Sequence, residues 1–236
     1  MTTPATAHAA APRLDLYDAI HKALRLFMTD TLMRIGRLDT ADGAETAAAL
    51  DQLAELLEAC RSHVEKEDKF VHPAIEARRP GETARIAAEH VNHLDAIAEL
   101  EAEAVTLRAW PTVSAAQRLY RHLARFVGEN FEHMAVEESQ HNPTLWALYT
   151  DAELLDIHHR ILASIDPVQM AGVLRWMLPA LCPAERAGML GDMRSQMPAP
   201  AWQGVLDIAR RHLDDGAWAK LARALGLPPA PGLVDA

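Results

Sequence analysis

The sequence predicts an all-α protein: an up-down-up-down four-helix bundle followed by a smaller helical C-terminal subdomain. Three observations carry this. Hydrophobic residues make up 50% of the 236-residue chain and aromatics only 5%, with Ala and Leu throughout and no runs of Val, Ile and Thr. That balance favours helix over strand. Apolar residues also recur at spacings of three and four along four long stretches. The breaks between those stretches are short, and short connections join antiparallel neighbours.

The first helix is expected over about 14–35, with Leu16, Ile20, Leu24, Phe27 and Thr31 on its apolar face. The second spans about 44–78 and presents Leu50, Leu53, Leu57, Cys60, Val64, Val71 and Ile75; Arg79-Pro80-Gly81 breaks it. The third covers about 83–108, with Ile86, Ile97, Leu100 and Ala104 inward, and ends at Trp110-Pro111-Thr112. The fourth runs over about 113–140, with Leu119, Phe126 and Val127 inward. From Asp151 the texture changes to shorter helical pieces punctuated by Pro167, Pro179, Pro183, Pro198 and Pro200. Asp166-Pro167 and Cys182-Pro183 read as helix starts. The expected organisation is a flexible tail over 1–13, the bundle over 14–145, the helical subdomain over 151–225, and a loose end over 226–236.

The bulk properties exclude several function classes. A net charge of −10 argues against nucleic acid and against anionic membranes as partners. No apolar run approaches twenty residues and no signal-peptide pattern opens the chain. Two cysteines, Cys60 and Cys182, cannot make a disulfide framework, which points to a reducing cytoplasm. Histidine is the outlier, with 12 copies against 4 Phe and 3 Tyr.

Two segments concentrate the chemistry. In SHVEKEDKFVHP, His63 is followed by Glu67 and Pro73; in EHMAVEESQHNP, His133 is followed by Glu137 and Pro143. Each helical residue advances about 100°, so residues four apart share a face. Both pairs fall on or beside apolar stripes and therefore face the core. His21 on the first helix and His90 and His93 on the third add imidazoles at the edges of the inward faces. The spacing exposes a repeat: His21 to His63 is 42 residues and His90 to His133 is 43. Two helical hairpins, each with a lone His and a His-x-x-x-Glu, can fold on one another about a pseudo-twofold axis. Left empty, such a cluster costs roughly 1–3 kcal/mol for each unpartnered buried polar group, and more for each charge. A cation turns the same groups into ligands. Two facing carboxylates suit a bridge between two ions, with imidazoles in the terminal positions. Imidazole and carboxylate without thiolate suit iron or manganese, with zinc as an alternative.

The order His21, His63-x-x-x-Glu67, His90, His133-x-x-x-Glu137 resembles the hemerythrin-like family of HHE cation-binding domains over roughly residues 14–145. The glutamate-then-proline pattern on the second and fourth helices is similar too. This resemblance implies a non-haem centre of two iron ions in a four-helix bundle that meets O2, NO or peroxide, or senses iron. Oxygen-carrying members usually show His-x-x-x-His on the third helix and Asp five residues after the last His. Here the third helix has His90-x-x-His93, and Glu137 comes four after His133, which fits the broader branch with sensing and redox roles. His93 is read as a further ligand or as a hydrogen-bonding neighbour of one. Neutral imidazoles favour Fe(II), so binding or sensing of a small diatomic is read ahead of turnover. The alternatives are an oxidoreductase consuming peroxide or NO, and a regulatory interaction module ordered by its metal. The C-terminal helices are expected to cap the bundle, read its state, or make a homodimer or protein contact.

The remaining polar residues are read more plainly. His122 lies too far along the fourth helix for the same ions. His72 is placed opposite His63, facing solvent, and Glu138 is placed in solvent as well. His141 is taken as structural, His8 as part of the tail, and His158, His159 and His212 as surface residues. Cys60 is read as a small buried thiol, and Asn130 as a hydrogen-bonding support of a ligand or as simple polar lining.

Overall fold

The computed structural model describes residues 13–228, so His8 and the outer parts of both expected tails lie outside the described residues. Among those residues the regular structure is helical and no strand occurs. The bundle is built from α1 (Asp18–Gly36), α2 (Gly43–Lys66), α4 (Ala84–Ala109) and α5 (Val113–Val136), with α3 (His72–Arg78) continuing α2 and α6 (Asn142–Leu148) continuing α5. Helix α1 packs on α2 and α5, and α4 packs on the same two, as an up-down-up-down chain requires.

Local chemistry sets the boundaries. The Asp15 carboxylate accepts hydrogen bonds from the Tyr17 and Asp18 amides, an Asx turn that starts α1 four residues later than the apolar pattern predicts. The Asp42 side chain caps α2 and Thr112 caps α5. Gly81 takes φ +86° in the turn between α3 and α4, a left-handed conformation that glycine adopts without a Cβ penalty.

Both long hairpin helices carry a wide π-helical turn, Glu67–Val71 in the first and Glu137–His141 in the second. In each, the amide after the turn reaches back five residues, His72 to Glu67 and Asn142 to Glu137. A proline follows directly. Its ring would press on the carbonyl four residues back in a regular helix, and the wider turn relieves that clash. The fourth helix therefore does not end near Gln140; it passes Pro143 and continues to Leu148.

Three apolar clusters form the interior. The main one joins Leu24, Phe27, Leu53, Leu57, Leu100, Leu119 and Phe126 along the bundle. A second lies beyond the π turns and includes Tyr17, Val71, Ile75, Leu145, Leu154 and Ile157. Its last two residues come from α7 (Asp151–Ala163), which begins at a Thr150/Glu153 capping box. The third joins α8 (Pro167–Ala180), α9 (Pro183–Gln196), α10 (Ala199–His212) and α11 (Asp215–Ala224) through Leu174, Leu178, Leu190, Val205, Ala209 and Leu221. Helix α8 packs on α1, where Trp176 stacks on Phe27 with ring centroids 4.0 Å apart. Lys22 on α1 and Glu185 on α9 add an ion pair at 2.6 Å.

Candidate metal centre

Antiparallel packing brings the start of α1 and α4 to the same end as the finish of α2 and α5. His21, His90, His63 and His133 sit at those four places, with Glu67 and Glu137 opening the two π turns. These six residues converge between the main apolar cluster and the layer beyond the turns. His21 and Glu137 are fully buried, His90 is 1% exposed, Glu67 and His133 4%, and the His63 side chain 13%.

The six side chains form two cups that share both carboxylates. In the first, His21, His63, Glu67 and Glu137 place their ligand atoms within 4.8 Å of one another; in the second, Glu67, His90, His133 and Glu137 do the same. The oxygens divide between the cups. His63 Nε2 lies 3.3 Å and His21 Nε2 4.0 Å from Glu67 Oε1, and His21 Nε2 lies 3.4 Å from Glu137 Oε2. On the other side His90 Nε2 lies 3.4 Å from Glu67 Oε2, while His133 Nε2 and His90 Nε2 lie 3.4 and 3.9 Å from Glu137 Oε1. Each carboxylate thus offers one oxygen to each cup.

These separations differ from those of ordinary hydrogen-bonded pairs. Most exceed hydrogen-bond length, and His21 Nε2, His63 Nε2 and all four carboxylate oxygens are buried without a hydrogen-bond partner. Two donors each about 2.1 Å from one ion stand roughly 3.0–3.4 Å apart. His90 Nε2 and His133 Nε2 face each other at 3.1 Å, and their pairing needs one ring to donate to the other. The donor set is imidazole and carboxylate with no thiolate, since neither cysteine belongs to the groups. On this arrangement the residues fit a pair of divalent transition ions.

The outer nitrogens are held too. Glu138 accepts from His21 Nδ1 at 2.9 Å, Asp68 from His90 Nδ1 at 2.7 Å, and Glu89 from His133 Nδ1 at 3.0 Å. Carboxylates at these places fix the tautomer and aim Nε2 inward. The acid following each shared glutamate grips the lone histidine of the other hairpin: Asp68 holds His90 and Glu138 holds His21. Arg25 clamps Glu138 from behind at 2.6 Å. Glu138 is therefore not a solvent group but part of this support, and its carboxyl is drawn down to about 2, chiefly by the bond from His21 and then against the cost of burial.

Charge is unevenly shared. Burial, then the neighbouring Glu137 charge, raise the Glu67 carboxyl to about 8; burial also opposes charge on Glu137, but the nearby His133 and His90 imidazoles outweigh it and hold that carboxyl low. Burial opposes charge on His90, but the facing Glu137 and Glu67 carboxylates prevail and raise it to about 10; His133 moves the same way. His63 is lowered, by burial and then by neighbouring imidazoles.

Three histidines differ from the sequence expectation or extend it. His93 is buried against His133 and Phe126, with ring centroids at 4.7 and 6.1 Å, and belongs to neither cup. His72 is not in solvent: it is 6% exposed and stacks on His90 at 4.9 Å. A π turn adds one residue to its helix and rotates everything after it by about 100°, so the regular-helix projection from His63 fails there. His141, 2% exposed, meets His72 edge to face at 5.6 Å. Sequence reasoning also passed over Tyr17, which is 1% exposed with its hydroxyl unpartnered and its ring 5.2 Å from His21. The signal was present, since Tyr17 precedes His21 by four residues. Asn130 is buried and donates to the Phe126 carbonyl of its own helix. His122 lies away from the cups beside Glu99 and Glu103, and among the described residues no helix is long and apolar enough to cross a membrane.

Fold and site together define a helical bundle with a cation-binding interior. Residues 13–145 match the family model described as hemerythrin HHE cation binding domain, and the chain belongs to that family. No curated protein and no solved structure gave a significant match.

Proposed function

We propose that the chain is a non-haem di-iron protein that reversibly binds or senses O2, NO or a related oxidant. The observation that carries this reading is the division of oxygens: Glu67 and Glu137 each turn one oxygen to a His21/His63 cup and the other to a His90/His133 cup. His21, His63, His90 and His133 would be the terminal ligands, and the two glutamates the bridges. Two Fe(II) ions held there would supply electrons to an oxidant and an open coordination position for a diatomic. Manganese or zinc would be held by the same donors.

The chain's own residues do the rest. Asp68, Glu89 and Glu138 orient three of the imidazoles. The apolar residues on either side exclude water, which would limit the delivery of solvent protons to a bound ligand. Tyr17 places a buried hydroxyl near both carboxylates, where it can donate a hydrogen bond to an anionic ligand. The C-terminal helices, packed on α1, are positioned to pass a change at His21 to a partner or to a second copy of the chain.

The test is metal analysis together with the near-UV and visible spectrum of the reduced protein before and after exposure to air. About two irons per chain and an oxygen-dependent, reversible absorption change are expected. A protein that holds iron but shows no change with O2 or NO would overturn carriage and sensing. Sustained consumption of peroxide or NO with a reductant would move the reading to an oxidoreductase.

A further inference from the structure

Beside the paired cups lies a third group of buried donors. His72, His141 and Glu137 bring ligand atoms within 4.8 Å of one another, and all three are buried. His72 Nε2, His141 Nδ1 and both Glu137 oxygens have no hydrogen-bond partner. An uncharged pair of rings in an apolar layer would normally satisfy these nitrogens, because each orphan costs free energy.

The outer face of His72 matches that of the cup histidines. Its Nδ1 lies 3.0 Å from Asp68 Oδ1, the same oxygen that holds His90 Nδ1. A carboxylate on Nδ1 leaves Nε2 as the free donor, the arrangement found around metal-bound imidazole. The backbone explains why these residues meet. The π turns rotate His72 inward from one hairpin and carry His141 as the last residue of the turn in the other.

We propose that His72 Nε2, His141 Nδ1 and Glu137 form a third cation position, distinct from the two cups, that takes a divalent first-row transition ion. Glu137 can serve it because each carboxylate oxygen has two lone pairs. Two imidazoles and one carboxylate suit the same class of ion as the cups. The position rests on the reading of Glu137 as a metal ligand.

The experiment uses the full chain, stripped of metal and titrated with zinc(II), followed by calorimetry and by elemental analysis after gel filtration. Three equivalents are expected for the unaltered chain, and two for His72→Gln and for His141→Gln. Two equivalents in all three proteins would overturn the third position while leaving the paired centre intact. A variant that falls to one or none would also overturn it, because its histidine would then belong to the pair. Uptake of no zinc by the unaltered chain would sink the di-metal reading itself. A second measurement does not depend on the variants folding: crystals of the unaltered chain soaked in zinc should show an anomalous peak between His72 Nε2 and His141 Nδ1. Peaks in the two cups alone would refute the site.

Discussion

The two cups come from one repeated hairpin, yet they are not equal. The His90/His133 cup has a carboxylate on both outer nitrogens, Asp68 and Glu89. The His21/His63 cup has one, Glu138 on His21. The position corresponding to Glu89, the residue before the lone histidine, is Ile20 in the first hairpin. Among the described residues no carboxylate meets His63 Nδ1, and His63 is the most exposed of the four cup histidines. Basicity differs as well: His90 and His133 are raised, chiefly by the shared Glu137 and with a further contribution from Asp68 and Glu89, whereas burial lowers His63. One hairpin repeated twice has become a firmly supported position and a looser one. An exogenous ligand is expected at the looser one.

The largest effect should follow from removing what the cups share. Glu137→Gln and Glu67→Gln are each expected to abolish stoichiometric binding in both cups, a loss beyond the roughly 10–100-fold typical of supporting residues. Elemental analysis of the purified variants checks this; retention of one equivalent by Glu137→Gln, or of more than one by Glu67→Gln, would show that the glutamate serves one cup only.

Next comes pH. In the cation-free chain His90, at about 10, and Glu67, at about 8, hold protons at neutral pH. Ligation requires both to leave, and the raised His133 acts in the same direction, so protons should be released on binding and affinity should rise with pH through neutrality. Calorimetry in two buffers of different ionisation heat measures the number. His90 also gives the sign for stability without metal. Its contribution is fully present below the unfolded value near 6.5 and is lost as pH rises through about 10.

A smaller effect isolates the asymmetry. Chelator competition should remove metal in two phases, the first from the His21/His63 cup. Glu89→Gln should weaken the other cup roughly 10–100-fold and merge the phases. Two phases of unchanged separation in Glu89→Gln would break the comparison.

The smallest effect concerns the cysteines. Cys60 lies one turn before His63, and burial pushes its thiol up to about 12, whereas Cys182 is exposed. A thiol reagent should label Cys182 and leave Cys60 unmodified in the folded protein, with metal content unchanged. Mass spectrometry of the digested protein reads both.

Much of this arrangement was legible because helical periodicity reports inward faces directly. The stripe from Leu50 to Ile75 is buried at every position named from the sequence. The same periodicity placed His63 with Glu67 and His133 with Glu137 on core faces, and the hairpin repeat suggested that His21 and His90 join them. What escaped falls into two kinds. His72 was misplaced because a constant 100° advance breaks down where a π turn adds a residue. Asp68, Glu89 and Glu138 escaped because their partners are on other helices, and spacing along one helix carries no information about a contact across two. Asp68 and Glu138 do occupy matching places after the shared glutamates, so the repeat itself held that hint. The start of α1 was misjudged for a local reason, since the Asx turn at Asp15 competes with a helix that the apolar pattern would have allowed.

The layer of Tyr17, Val71, Ile75, Leu145, Leu154 and Ile157 closes the end of the bundle beyond the π turns with hydrocarbon. Uncharged gases dissolve more readily in hydrocarbon than in water, while hydrated ions and reducing agents do not. On the proposed function, such a lining would admit O2 or NO by solubility and keep bulky or charged reactants waiting for the structure to open. The fold would thereby separate the rate at which a gas arrives from the rate at which electrons are replaced.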